Sequence, residues 1–408
     1  MPLPRRAVLG LAASVLASRT RAEVPAQVVR VGIDMSLTGS DAQAALKSRA
    51  GALLAFEEAN AANAIPGVRV EPVTFDDGTA TAGQYDPAQA AINARRMVGD
   101  KRMVAAIGPQ MSGAGKAMAP ILSMGNLATI TPSSTSPDIT DPAFAAQYRP
   151  GGKPVYFRTV TTDAYQGPNM ANFYVESLKA SRIFVLDDGG AYGVGMADAF
   201  EAQARRKDAA IIGRDRLDPK AADYAPVLTK IKSLGADALY FGGVSQAGVK
   251  LIKQAFDILP DINKGGGDGI YAPDILTGAG FPAAEGWYVT VASPHALDSA
   301  DAQDFVRRYA ARFGMTPDDP AITSYDGALV IIDALKRVSA AGQTITREAV
   351  RDALQTARVP TLQGVVSFDE NGDLQDRTIS VFQIRRDDRY PPDDVLHQYR
   401  FIGTAPQA

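Results

Sequence analysis

The residue types that do covalent or acid-base chemistry are sparse in this chain. There are two histidines, His295 and His397, and no cysteine. Neither histidine has a metal-ligand partner or a nucleophile motif beside it, and an isolated histidine is rarely catalytic without partners. A thiolate nucleophile, a disulfide and a thiolate metal site are excluded outright. Three strings imitate known sites and fail on spacing. Gly108 to Lys116 (GPQMSGAGK) follows a β-rich run as a phosphate loop would, but Ala114 follows Gly113 and Ala117 follows Lys116. Gly189 to Gly195 (GGAYGVG) lacks dinucleotide spacing. Asp369 to Asp376 (DENGDLQD) resembles a calcium loop with Leu374 where glycine is required. The expectation is no enzyme, no cofactor and no metal.

The residues that could bind are in two loops. Gly108-Pro109-Gln110-Met111-Ser112 stands between a strand-like run and a helical one. Thr131-Pro132-Ser133-Ser134-Thr135-Ser136-Pro137 follows the next strand-like run. Hydroxyls and backbone N–H groups at a helix N-terminus form a cradle for a carboxylate. The same residue types serve equally as ordinary N-caps, here Ser112 and Thr135.

These loops need elements to hold them. Short β-rich runs alternate with helical ones from Val28 onward. Strands are expected at 28–35, 68–75, 103–107 and 127–130, with helices at 50–61, 87–98 and 113–124. The alternation restarts at Val155 to Val160. Helices at 166–178, 196–207, 224–234 and 246–256 then alternate with strands at 182–186, 210–214 and 238–241. Such alternation implies parallel sheets covered by helices on both faces. Two runs split near Thr159 imply two doubly wound α/β lobes, which bind ligands at the C-terminal ends of their strands. Beyond residue 290 the pattern changes to three helices, 302–313, 322–339 and 347–355. A hairpin is expected from Gly364 to Phe368 against Thr378 to Ile384, turning at Asn371-Gly372.

Charge and the N-terminus restrict partner and place. The net charge is −3, and the first 22 residues carry four arginines and no acid. Without them the balance is about −7, so clustered phosphate contacts and nucleic-acid binding are not expected. Arg5-Arg6, an apolar run from Ala7 to Ser18 and Thr20-Arg21-Ala22 read as an export signal over residues 1–22. The paired arginines fit the twin-arginine route as well as the general secretory one.

The chain resembles the periplasmic branched-chain amino acid (Leu/Ile/Val-type) binding proteins of ABC transporters, from about Val28 to Ile384. The marks are Met35-Ser36-Leu37-Thr38-Gly39, Phe75-Asp76-Asp77, Ile107-Gly108-Pro109 and Ile130 to Thr135. They continue with Phe157-Arg158-Thr159, Asp163 to Gly167, Tyr192-Gly193, Tyr240 to Gly243, Gly266 to Gly269 and Ala284-Glu285-Gly286. The resemblance implies a type I periplasmic binding protein fold, two Rossmann-like lobes joined by three crossovers near Val160, Ser293 and Gly364. Residues 23–160 with 294–363 would form lobe one, and 161–293 with 364–408 lobe two. It implies that Ser112, Ser133 through its backbone, and Thr135 hold a ligand carboxylate. Asp268 would hold an ammonium and Tyr192 would close over the ligand. Gln110, Met111 and Val244 stand where the family lines the ligand side chain, and no aromatic stands near Ala44 where one is usual. The implied function is a monomeric periplasmic receptor for an amino acid or related small carboxylate, serving ABC permease subunits. The alternatives are the same fold with an aromatic acid, amide or urea-like ligand, or a ligand-sensing subunit.

Overall fold

The computed structural model describes residues 27–408. The expected export signal over residues 1–22 lies outside the described residues. The first sheet is built from β1 (Gln27–Met35), β2 (Val68–Asp76), β3 (Met103–Ile107), β4 (Ala128–Thr131) and β5 (Tyr156–Arg158). All its neighbours pair in parallel, in the order β2-β1-β3-β4-β5. β3 and β4 are buried at every position because helices cover both faces. Among these helices are α1 (Ala42–Ala61), α2 (Pro87–Gly99) and α3 (Ser112–Met124). α2 begins where its sequence dictates: Asp86 accepts from Ala88 N–H, and Pro87 occupies the first turn.

The second lobe repeats the plan. α4 (Asp163–Asn172) enters it from the first crossover. β6 (Arg182–Asp187), β7 (Ala210–Arg216), β8 (Ala238–Gly242), β9 (Asn263–Gly266) and β10 (Tyr288–Val291) lie in the parallel order β7-β6-β8-β9-β10. α5 (Ala191–Arg206), α6 (Ala225–Ser233), α7 (Ser245–Ile258) and α8 (Pro273–Ala279) connect them. After β10 the chain returns to the first core through α9 (Ala300–Phe313), α10 (Asp319–Ala340) and α11 (Arg347–Gln355).

Two expectations need correction. The helix expected from Ala50 begins two turns earlier, at Ala42. Its first turns are alanine-rich and bury Lys47, whose Nζ reaches Thr316 O at 2.6 Å, so the apolar periodicity is blurred there. The chain turns at Asn371-Gly372, with Phe368 bridged antiparallel to Leu374, but the expected pairing of Gly364 to Phe368 with Thr378 to Ile384 is not formed. β11 (Arg358–Thr361) instead pairs antiparallel with β12 (Gly364–Ser367), while β13 (Ser380–Ile384) and β14 (Tyr399–Thr404) extend the second sheet beyond β10. Val366, Phe368 and Leu374 pack in the first core, and Phe368 lies against Phe157. Residues 364–374 therefore stay with the first lobe, and the last crossover follows Leu374 rather than Gly364. The crossovers touch one another: Thr161 N–H donates to Ala292 O (2.8 Å) and Ser380 Oγ to Ser293 O (2.7 Å).

Candidate functional site

In both sheets the strand order reverses beside the first strand, between β1 and β3 and between β6 and β8. Loops that leave such a point diverge and open a crevice at the strand C-termini. The two crevices face each other, and a partly open cavity lies between them. Its wall takes Asp41 from the loop after β1, Gln110, Met111 and Ser112 after β3, and Pro132 and Ser133 after β4. From the other lobe come Tyr192, Val244, Asp268 and Tyr271. The cavity measures about 60 Å³.

The first-lobe loops are held rigidly. Asp76 accepts from Leu37 N–H (2.9 Å) and Thr38 Oγ1 (2.7 Å), and Asp77 accepts from Ser36 Oγ (2.6 Å). The Asp76-Asp77 pair thus shapes the first loop without entering the cavity wall. Gly108 adopts φ +106° with the Asp34 carbonyl where a Cβ would stand, which only glycine tolerates. Ser133 Oγ donates to Gln110 O (2.9 Å) and ties the two hydroxyl-bearing loops together.

The simple capping alternative is not met. Met111 is the N-cap of α3, and Ser112 is its first helical residue. Ser112 Oγ accepts from Ser136 N–H at 3.2 Å, while Thr135 caps no helix. Thr135 is the one expected site residue outside the cavity wall. It is fully buried, and its hydroxyl lies toward Asp163.

Beneath this loop lies Arg158, whose side chain has no solvent exposure. It donates to Ser136 O (2.7 Å), Thr140 Oγ1 (3.0 Å) and Asp373 Oδ1 (2.7 Å), and also to Ser134 O. The string Phe157-Arg158-Thr159 carries no local sign of this role for Arg158. Its work is to gather the carbonyls of the loop so that the remaining N–H groups turn elsewhere.

In the second lobe Tyr192 OH donates to Asp268 Oδ1 at 2.6 Å and accepts from Gly269 N–H at 3.1 Å. Gly267 and Gly269 lie so close to the Tyr192 ring that a Cβ on either would collide with it. This contact explains the glycines around Asp268. Burial pushes the Asp268 carboxyl up to about 6, against a pull downward from Tyr192. Asp163, at the start of α4, is buried with no donor in hydrogen-bond reach of either oxygen. Burial, and then the charge of Asp268, push it up to about 8. Val244 contributes an apolar side chain, and its N–H donates to Asp188 Oδ2 (3.0 Å).

Seven of the eight expected residues therefore share one cavity. Asp41, Tyr271 and Pro320 were missed. They come from segments far apart in the chain, and no local motif marks them. Among the described residues no group of three or more histidines or acids could hold a metal ion.

Two α/β lobes with facing switch points and a cavity between them define a solute-binding protein of the clamshell class. The family model described as periplasmic binding protein matches residues 28–389. The chain belongs to this family. It is 30% identical over 376 residues to the Leu/Ile/Val-binding protein BraC3 of Rhizobium johnstonii, covering 91% of this chain and 96% of that one. It is 28% identical to the leucine-, isoleucine-, valine-, threonine- and alanine-binding protein of Pseudomonas aeruginosa, covering 92% and 95%. Among solved structures it superposes on the branched-chain amino acid transporter substrate-binding protein LivJ of Streptococcus pneumoniae in complex with isoleucine. The TM-score is 0.78 at 23% identity, covering 92% of this chain and all of that one. A solute-binding protein of R. palustris in complex with benzoate gives a TM-score of 0.77 at 18% identity, covering 93% and 97%. No described helix is long and apolar enough to cross a membrane.

Proposed function

We propose that this chain is an exported receptor that binds an amino acid between its lobes and presents it to the membrane subunits of an ABC importer. The observation that carries the reading is the pairing within one cavity of a half-buried carboxyl, Asp268 held by Tyr192, with a donor-rich loop and helix start from the other lobe. A zwitterion fits that pairing. Its ammonium meets Asp268. Its carboxylate meets Ser112 and the Ser133 backbone, with Thr135 buried behind them. Tyr192 covers the ligand, while Gln110, Met111 and Val244 receive its side chain. The relatives' names, which speak of leucine, isoleucine and valine, support the amino-acid class.

Each lobe contributes one half of the binding groups, so the ligand favours the closed form by contacts absent in the open one. In this reading the receptor is monomeric, lies in the periplasm after removal of residues 1–22, and does no chemistry on its cargo. The test is calorimetric titration of the ligand-stripped protein with the L-amino acids and with benzoate. Saturable binding of an L-amino acid, absent for the corresponding deaminated acid, supports the proposal. Binding of benzoate alone would leave the fold reading intact and remove the amino-acid one.

A further inference from the structure

The end of the cavity expected to receive an apolar side chain carries a carboxylate. Asp41 is 3% exposed and lies in the cavity wall. It is the residue before α1, where an aspartate would ordinarily cap the helix, yet its side chain caps no N–H of α1. The amides of Gln43 and Ala44 are faced instead by Asp274 of α8, across the cleft. Asp41 is thus free of its ordinary structural duty. Its Oδ2 accepts from Ser40 Oγ at 2.7 Å, and it faces Ser245 of the opposite lobe, whose own Oγ has no partner.

A second polar group points the same way. Gln110 is 9% exposed and lies in the same wall, and its Oε1 is buried without a hydrogen-bond partner. A buried acceptor left unpaired costs about 1–3 kcal/mol, and an unpaired charge more. Such groups are retained where a ligand donor satisfies them. Charge gives the same result. The cavity wall holds two carboxyls, Asp41 and Asp268, and no lysine, arginine or histidine. Asp268 keeps company with Tyr192, Gln166 and Asp163. Asp41 keeps company with Ser245, Asp77 and Asp274. They are separate acceptors for separate groups. The ligand's ammonium satisfies one of them, and its carboxylate satisfies neither.

We infer that the ligand is an amino acid whose side chain ends in a nitrogen donor, an amide, amine or guanidinium, received by Asp41 and Gln110. This rests on the amino-acid reading above and narrows it. Leucine and isoleucine would leave Gln110 Oε1 without a donor and set an apolar group against Asp41, and a site built to hydrogen-bond rejects analogues that lack the donor.

The experiment compares near-isosteres on the ligand-stripped protein by calorimetry: L-glutamine and L-ornithine against L-leucine and L-norvaline, with benzoate as the non-amine control. At least one nitrogen-bearing member is expected to bind tenfold or more tightly than both apolar ones. Asp41→Ala should weaken that member at least tenfold and leave L-leucine unchanged or improved. Gln110→Leu, which touches no helix cap, should shift preference in the same direction. L-leucine binding as tightly as the nitrogen-bearing members to the unaltered protein would overturn the inference while leaving the amino-acid reading intact. Binding of benzoate with no amino acid would overturn both.

Discussion

Replacing Asp268 by asparagine removes a charge and keeps the shape. Tyr192 OH can still donate to the remaining oxygen, so the 2.6 Å contact survives and only the ion pair with the ligand ammonium is lost. Truncating one partner of a buried, hydrogen-bonded charge pair costs about 2–5 kcal/mol. At about 1.4 kcal/mol per factor of ten, Kd for the amino acid rises roughly 30- to several-thousand-fold. The wild-type protein carries its own internal control. Its Asp268 carboxyl is pushed up to about 6, so below that pH the ligand must displace a proton. Affinity then falls about tenfold per pH unit below 6, and this slope vanishes in Asp268→Asn. The ligand-free variant should be more stable than wild type at pH 8, by at most about 3 kcal/mol, because an ionised, half-buried group has been removed. Titration calorimetry from pH 4.5 to 8 with the tightest-binding L-amino acid reads all of this. Unchanged affinity in a folded Asp268→Asn protein would refute the assignment of the ammonium to Asp268.

Tyr192→Phe should lower ligand-free stability by about 1.5–3 kcal/mol, the worth of a hydrogen bond to a charged group, because Tyr192 holds Asp268 within one lobe. Urea unfolding of the ligand-free protein checks it, and an unchanged midpoint would contradict it. Arg158→Leu should destabilise the protein by about 3–5 kcal/mol, since it strands Asp373 and the carbonyls of the 134–136 loop. Urea unfolding would show it, and a midpoint within error of wild type would contradict it. Ligand-free stability should fall as pH rises from 5 to 8. The Asp77 and Asp163 carboxyls are pushed up to about 7 and about 8 by burial. Their contribution is complete below about 4, the unfolded value, and is lost as pH rises through the folded values. Asp387, held near 2 by Arg389, acts with opposite sign only below about 4 and leaves this window untouched. A urea midpoint that rises across pH 5 to 8 would contradict the burial assigned to these groups.

The parallel order of each sheet follows from what can be read locally. Apolar runs of four to nine residues, alternating with helices, must be buried on both faces, and one right-handed connection after another leaves few topologies. The loops after β3 and β4 announced themselves by hydroxyls, prolines and glycine at strand ends, and seven expected residues meet in the cavity for that reason. The pairing of Gly364–Ser367 was misread because its partner had no turn signal: Leu362 and Gln363 make the turn, held by the Asp326 carboxylate 36 residues earlier in the chain. Arg158 and Asp373 stand 215 residues apart, and nothing in either neighbourhood names the other. The same holds for Asp41, whose sequence position reads as a helix cap. In the folded chain Asp274 faces the amides of α1 and Ser245 faces the carboxylate, so Asp41 lies in the cavity wall. Local patterning determined the elements and the ends at which they bind. Which buried charges lost their ordinary partners, and so which ligand group they await, was decided by contacts between segments that only the folded, closed chain brings together.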